Sequence, residues 1–108
     1  MQFVVWATDA DDALAVRQHV REQHRARLRD PAPHAVQVLL AGPTLNDDAQ
    51  SMNGTLLIVE AHSAEAVRAF IDDDPYMRHG VYRDVQIRPW RCGLGPLAEP
   101  TPTSIERP

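Results

Sequence analysis

Two scarcities set the first limits on this chain. It has no lysine, and Cys92 is the only cysteine among its 108 residues. A single cysteine cannot form a disulfide within the chain or build a cysteine-based metal cluster. We therefore expect a protein of a reducing compartment, the cytoplasm, with no disulfide in its fold.

Long apolar runs and recognisable cofactor motifs are also missing. No window approaches the ~20 apolar residues of a membrane span, and the first residues enter a strand-like segment without a charged leader. The sequence has no phosphate-binding glycine loop, no nucleophile elbow and no zinc signature. We predict no membrane association, no cofactor and no metal.

Positive charge is in deficit, since 11 arginines stand against 15 acidic residues and the formal net charge is −4. Non-specific binding of nucleic acid needs a clustered positive field. A local run of arginines between residues 17 and 29 is offset by Asp30 and by Asp9, Asp11 and Asp12. The charge balance therefore predicts no nucleic-acid partner.

Hydrophobic periodicity and turn residues predict six elements. Strand-like segments cover residues 2–8, 35–41, 54–61 and 81–92, and the third is preceded by a polar loop over 44–53. Helical segments cover 10–29, opened by a capping-box-like Thr8/Asp11 or Asp9/Asp12, and 63–74, capped by Ser63. Gly42-Pro43 and Pro75 are taken as stop signals for the second strand and the second helix.

The resulting β-α-β-β-α-β order predicts a ferredoxin-like α+β domain over residues 1–92. Its four strands form one antiparallel sheet, and both helices cover one face of that sheet. The strands are too apolar for the other face to be exposed to water, so we expect a homodimer that packs sheet against sheet. The proline-rich tail, 93–108, is predicted to be extended or disordered.

A histidine lies on the apolar stripe of the first predicted helix. At 100° per residue, Arg17 lies about 20° from His24, whereas His19 lies about 140° away on the solvent side. A core histidine with satisfied nitrogens explains His24 on its own. Because Arg17 shares the stripe, a polar pocket beneath the helix is the competing interpretation.

Three carboxylates close the second predicted helix. Asp72, Asp73 and Asp74 precede Pro75-Tyr76, and the helix dipole and their mutual repulsion should make each acid harder to ionise. Pro75 restricts the backbone of Asp74 and so fixes its direction. A solvated helix end and one half of an acid/base pair with His24 both fit this pattern.

Several short motifs, in their order and spacing, resemble the YCII-related (YciI-like) family. They are Arg21-Glu22-Gln23-His24-Arg25-Ala26-Arg27-Leu28, Leu40-Ala41-Gly42-Pro43, Gly54-Thr55, Asp74-Pro75-Tyr76 and Gly80-Val81-Tyr82. The resemblance runs from the first strand to Trp90. It implies a domain of the dimeric α/β-barrel group and an active site built on His24 and Asp74.

We interpret the pair as the centre of a small enzyme without a cofactor, which carries out a lyase- or isomerase-type proton transfer on a small organic substrate. Arg17 or Arg21 is expected to hold an anionic oxygen of the substrate, and Tyr76 to line the mouth of the site. Gly42, Pro43 and Thr55, from the matching motifs, complete the expected binding residues. One relative in this family is similar to a dehydrochlorinase of a chlorinated hydroquinone.

Two other hypotheses stay open. The chain is alternatively a non-catalytic, small-molecule-binding or stress-associated dimer, in which His24 and Asp74 only tie two helices together. An oxygen-dependent monooxygenase, as some dimeric α/β-barrel proteins are, is the third interpretation.

Overall fold

The computed structural model describes residues 1–98 and has the predicted α+β architecture. Its elements are β1 (Gln2–Asp9), α1 (Leu14–Arg29), β2 (Gln37–Leu45), β3 (Met52–Glu60), α2 (Ala64–Asp72), α3 (Pro75–Arg78) and β4 (Tyr82–Trp90). The strands form one antiparallel sheet in the order β2-β3-β1-β4. The ferredoxin-like β-α-β-β-α-β order is therefore confirmed, with the short helix α3 added before the last strand.

The core lies between the sheet and its helices. Phe3 and Val5, alternate residues of β1, point inward, as does Leu57 of β3. All three pack in one cluster with Val67 and Phe70 of α2. This alternation is what a period of two residues dictates for a strand with one buried face. A second buried cluster joins α1 to the segment around α3: it contains Ala13, Val20, Tyr76 and Val81.

The first helix begins later than predicted. Helix α1 starts at Leu14, its N-cap is Ala13, and no side chain caps it. Asp12 has a positive φ of 59°, so the chain turns sharply there and does not enter a helix. Asp9 is free to bind elsewhere, because it does not serve as a cap. The capping-box prediction was therefore wrong.

The second strand continues through its predicted stop signal. Gly42 and Pro43 lie inside β2, where Pro43 is opposite Thr55 in the ladder with β3. The loop predicted over 44–53 shrinks accordingly, because β3 already begins at Met52. Proline is tolerated here because β2 is an edge strand of the sheet. The opposite edge strand, β4, also contains a proline, Pro89.

Gly54 is needed inside the sheet for steric reasons. A Cβ atom at this position would collide with the carbonyl oxygen of Ala7 on β1 and with the Thr44 hydroxyl on β2. Glycine therefore lets three strands approach closely beside α1.

The C-terminal part ends in a turn before residue 98. The Ala98 N–H donates to the Gly95 carbonyl at 3.0 Å, and the Cys92 thiol lies 3.0 Å from the Leu94 carbonyl oxygen. The rest of the predicted tail, residues 99–108, lies outside the described residues.

Candidate functional site

His24 and Asp74 are in direct contact beneath α1. The His24 Nδ1 atom lies 2.8 and 2.9 Å from the two carboxylate oxygens of Asp74. Both residues are buried, with 5% and 1% exposure. The helical periodicity placed His24 on the inner face of α1, and the structure places Asp74 directly below it. A carboxylate only accepts hydrogen bonds, so Nδ1 carries the proton of this contact.

The backbone around Asp74 explains how the carboxylate is held. Asp74 is the N-cap of α3, and its Oδ1 accepts the Tyr76 N–H at 2.8 Å. Pro75 occupies the first helical position, where its missing N–H costs nothing. Pro75 therefore starts α3 as well as separating it from α2. The sequence motif Asp-Pro-Tyr is a helix start, and this start fixes the carboxylate on the side of His24.

Arg27 supplies a second cation to the same carboxylate. Its Nη1 donates to Asp74 Oδ2 at 3.1 Å, and its Nη2 donates to the Phe70 carbonyl at 3.0 Å. The guanidinium also lies 4.4 Å from the centre of the Phe70 ring. Asp74 thus accepts from an imidazole, a guanidinium and a backbone amide, which satisfies a buried charge that would otherwise be costly.

Tyr76 holds the other side of the imidazole. Its ring stacks on His24 with centroids 3.8 Å apart and an interplanar angle of 14°. Burial raises the pKa of the Tyr76 phenol, so the hydroxyl stays protonated. Among the described residues, this hydroxyl is the one sealed side-chain oxygen or nitrogen without a hydrogen-bond partner. Tyr76 was predicted to line the mouth of the site. It is instead fully buried.

Arg17 forms hydrogen bonds to two strands of the sheet. Its guanidinium donates to Asp9 at 2.8 Å, to the Gly54 carbonyl at 2.7 Å and to the Thr55 hydroxyl at 2.5 Å. It also lies 4.5 Å from the centre of the Tyr76 ring. This arrangement engages Nε and Nη2 of Arg17 and anchors α1 to β1 and β3.

The predicted binding residues surround one cavity of about 190 Å³ between α1 and strands β2 and β3. The expected residues that line it are Arg17, Arg21, His24, Gly42, Pro43, Thr55 and Tyr76. Asp74 does not line it and lies behind His24. The cavity is close in size to the roughly 150 Å³ apolar cavity that holds a benzene molecule in an engineered protein. Its volume therefore suits a compact ligand of about one ring.

The second nitrogen of His24 is the one available to that cavity. Nδ1 is bound to Asp74, and within residues 1–98 the Nε2 atom has no hydrogen-bond partner. Nε2 is not among the sealed, unpartnered atoms of the described chain, although His24 lines the cavity. An imidazole held in this way presents a lone pair on Nε2, which can accept a proton from a bound molecule.

Sequence reasoning missed several residues of the site. It did not single out Arg25, Leu28, Arg29 and Ala41 as cavity residues, or Arg27 and Asp9 as partners of Asp74 and Arg17. Arg25 and Arg29 continue the four-residue spacing of Arg17 and Arg21, so helical periodicity could have found them. No comparable signal exists for the Arg27 and Asp9 contacts, because they depend on how the elements pack.

One aspartate next to the site, Asp73, behaves differently from the prediction. The hydrogen bond from His34 and the ion pair with Arg78 lower the pKa of the Asp73 carboxyl below its usual value. The expectation that repulsion makes every one of the three acids harder to ionise is therefore wrong for Asp73. His34 is only partly exposed, and its hydrogen bond to Asp73 ties the loop before β2 to the end of α2.

Within residues 1–98, no three His, Cys, Asp or Glu side chains converge as a metal ion would require. None of the helices described combines the length and the hydropathy needed to span a membrane.

The sequence is similar to those of several known proteins. The family model of the YCII-related domain matches residues 1–91. Protein YciI of Escherichia coli O6:H1 (strain CFT073) is 38% identical over 96 residues, which cover 84% of this chain and 97% of that protein. An uncharacterised protein of Haemophilus influenzae is 33% identical, with the same coverage of both chains.

A solved structure extends the comparison to a protein with a bound ligand. It is 5-chloro-2-hydroxyhydroquinone dehydrochlorinase (TftG) from Burkholderia phenoliruptrix AC1100, in complex with 2,5-dihydroxybenzoquinone. The two chains superpose with a TM-score of 0.72 and share 28% sequence identity, and the match covers 84% of this chain and 94% of that one. Another protein with this fold is therefore an enzyme that acts on a small molecule.

Proposed function

This chain belongs to the YCII-related domain family, and on that premise we propose that His24 and Asp74 form the acid/base dyad of a small enzyme without a cofactor. The observation that carries the proposal is the asymmetric environment of the imidazole. Nδ1 is held by a buried carboxylate, and Nε2 opens on a cavity of single-ring size. This is the arrangement that a general base needs for one fixed direction of proton transfer.

The proposed reaction is an elimination or isomerisation of an activated substrate. His24 Nε2 takes a proton from an O–H or C–H group, and the electron pair of that bond forms a new π bond. In an elimination, the leaving group departs with the electrons of its own bond, and in an isomerisation a neighbouring carbon is protonated. Asp74 stabilises the imidazolium that forms, and the proton then passes to solvent or back to the product.

Three contacts support these roles. Arg27 and the Tyr76 N–H hold the Asp74 carboxylate, so it points at Nδ1 and does not rotate away. The stacked Tyr76 ring fixes the plane of the imidazole. The site therefore has a base and an orienting group that are both held in place beside one small cavity.

The experiment takes its probe from the structural relative. We expect the purified protein to release chloride from 5-chloro-2-hydroxyhydroquinone or from a related chlorinated hydroquinone faster than the spontaneous reaction. Chloride release and product absorbance would be followed together, with heat-denatured protein as the blank. No acceleration across a panel of activated halogenated and isomerisable single-ring compounds would contradict the proposed activity.

We further propose that two copies of the chain pack through the uncovered face of the sheet, as the predicted homodimer requires. Trp6 is directly opposite Leu56 on this face, and Leu40 is opposite Ile58. Trp6 is 47% exposed and Leu40 is 54% exposed. Ile58 itself is buried, but Trp6, Leu56 and Leu40 expose apolar surface on three adjacent strands, and surface of this kind marks an interaction site. A second copy offers the same apolar surface.

A charge in the middle of this face tests the dimer. We expect Leu56→Arg to make the protein monomeric at concentrations where the parent is dimeric, because two-fold symmetry places two arginines in the interface, at a cost of several kcal/mol. Leu14→Arg changes a leucine of similar exposure on the helix layer and should leave the dimer intact. Sedimentation velocity gives the mass of each, and a monomeric parent would refute the interface.

A further inference from the structure

The cavity beside His24 carries an arginine ladder. We define this ladder as Arg21, Arg25 and Arg29, which follow one another every four residues along α1 and all line the cavity. Four-residue spacing places successive side chains on one side of a helix, and eight residues span about 12 Å. The ladder thus runs along one wall of the cavity past His24.

The ladder has no counter-charge in the protein. Within residues 1–98, none of its three guanidinium groups forms an ion pair, and no acidic side chain is among the described residues that line the cavity. The two acids that bind residues of the cavity wall are engaged: Asp9 binds Arg17, and Asp74 binds His24 and Arg27. Like charges at this spacing destabilise an isolated helix, and a bound anion would relieve that repulsion.

From these observations we infer that the ligand of this site is a compact organic anion of about one ring. Its carboxylate or other charged oxygen group binds the arginine ladder, and its reacting atom lies at His24 Nε2. Guanidinium groups recognise such oxygens through paired, charge-assisted hydrogen bonds. The chain has a net charge of −4, so the cavity is a local positive region on an acidic protein and concentrates anions there.

This inference rests on the proposed function, because it specifies the substrate class of the same site. It also refines the role expected of Arg17, whose Nε and Nη2 already donate to Asp9, Gly54 and Thr55. The arginine ladder therefore binds the anion, and Arg17 anchors α1, the helix that carries the ladder, to the sheet.

The test compares benzoate with benzamide, which have nearly the same shape and differ in charge. We expect chemical-shift titrations of the full-length protein to show benzoate binding at least about tenfold more tightly than benzamide. The amide signals that move should be those of the ladder and of residues 41–43. Added salt should weaken benzoate binding and leave benzamide binding nearly constant.

The double variant Arg25→Gln/Arg29→Gln should bind benzoate about tenfold more weakly and benzamide unchanged. Arg83→Gln is the matched control, because it removes an exposed arginine that does not line the cavity. Loss of the like charges should not lower the stability of the double variant, and a denaturation curve verifies that it is folded. Equal affinities for benzoate and benzamide, or an unchanged double variant, would overturn the inference.

The binding measurements also separate this inference from the proposed activity. His24→Gln keeps the ladder, so it should retain the preference for benzoate even if it has lost turnover. A parent that prefers benzoate but accelerates no reaction would contradict the enzyme and leave the anion site standing. A parent that accelerates the reaction without a preference for benzoate would contradict the anion site and leave the enzyme standing.

Discussion

Replacing Asp74 with alanine is expected to lower the free energy of unfolding by about 3–5 kcal/mol. The variant leaves three donors without their acceptor: the imidazole of His24, the guanidinium of Arg27 and the N–H of Tyr76. Two of these groups lie in the core of the site, where an unsatisfied polar group costs more than at the surface. Helix α3 also loses its N-cap.

Asp72→Ala provides the matched control for this measurement. Asp72 is an exposed acid two residues earlier, at the C-terminal end of α2, where a negative charge opposes the helix dipole. Its removal should change the free energy of unfolding by no more than about 0.5 kcal/mol. Chemical denaturation of the parent and the two variants measures the three free energies of unfolding. Equal losses for Asp74→Ala and Asp72→Ala would show that the buried network contributes little to stability.

Replacing His24 with glutamine is expected to reduce turnover by about 10²–10⁴-fold. Glutamine can still donate to the Asp74 carboxylate, but its amide does not accept a proton at neutral pH. The experiment compares kcat/KM for whichever chlorinated hydroquinone the parent turns over, and denaturation curves establish that the variant is folded.

His19→Gln is the control, since His19 lies on the exposed side of the same helix. It should retain parental turnover. A His24→Gln protein that is much less stable than the parent and yet equally active would refute the dyad. The contact between His24 and Asp74 would then serve only to tie α1 to α3, as the non-catalytic interpretation holds.

The parts of this fold that follow a local period were predictable from the sequence. Inward positions on α1 repeat every three or four residues, so Arg17, Val20 and His24 are buried, and His19 is exposed. The alternation of apolar residues likewise predicted the four strands and their order along the chain. The residues of the cavity followed in part from this period and in part from family motifs.

The errors arose where tertiary contacts override local signals. Gly42-Pro43 looks like a turn, but pairing with β3 keeps both residues in an edge strand. Asp74-Pro75 looks like the end of one helix and is also the start of the next. Arg27 and Asp74 are 47 positions apart, so no local pattern could reveal that they share a hydrogen bond.

The prolines in the two edge strands have a consequence for how this sheet meets other molecules. Pro43 in β2 and Pro89 in β4 each interrupt the row of N–H groups that an incoming strand would need as a template. Lateral growth of the sheet, which leads to strand exchange and fibrils, is therefore discouraged at both sides. Association is directed to the uncovered face of the sheet, and the edge that forms one wall of the cavity stays accessible to small molecules.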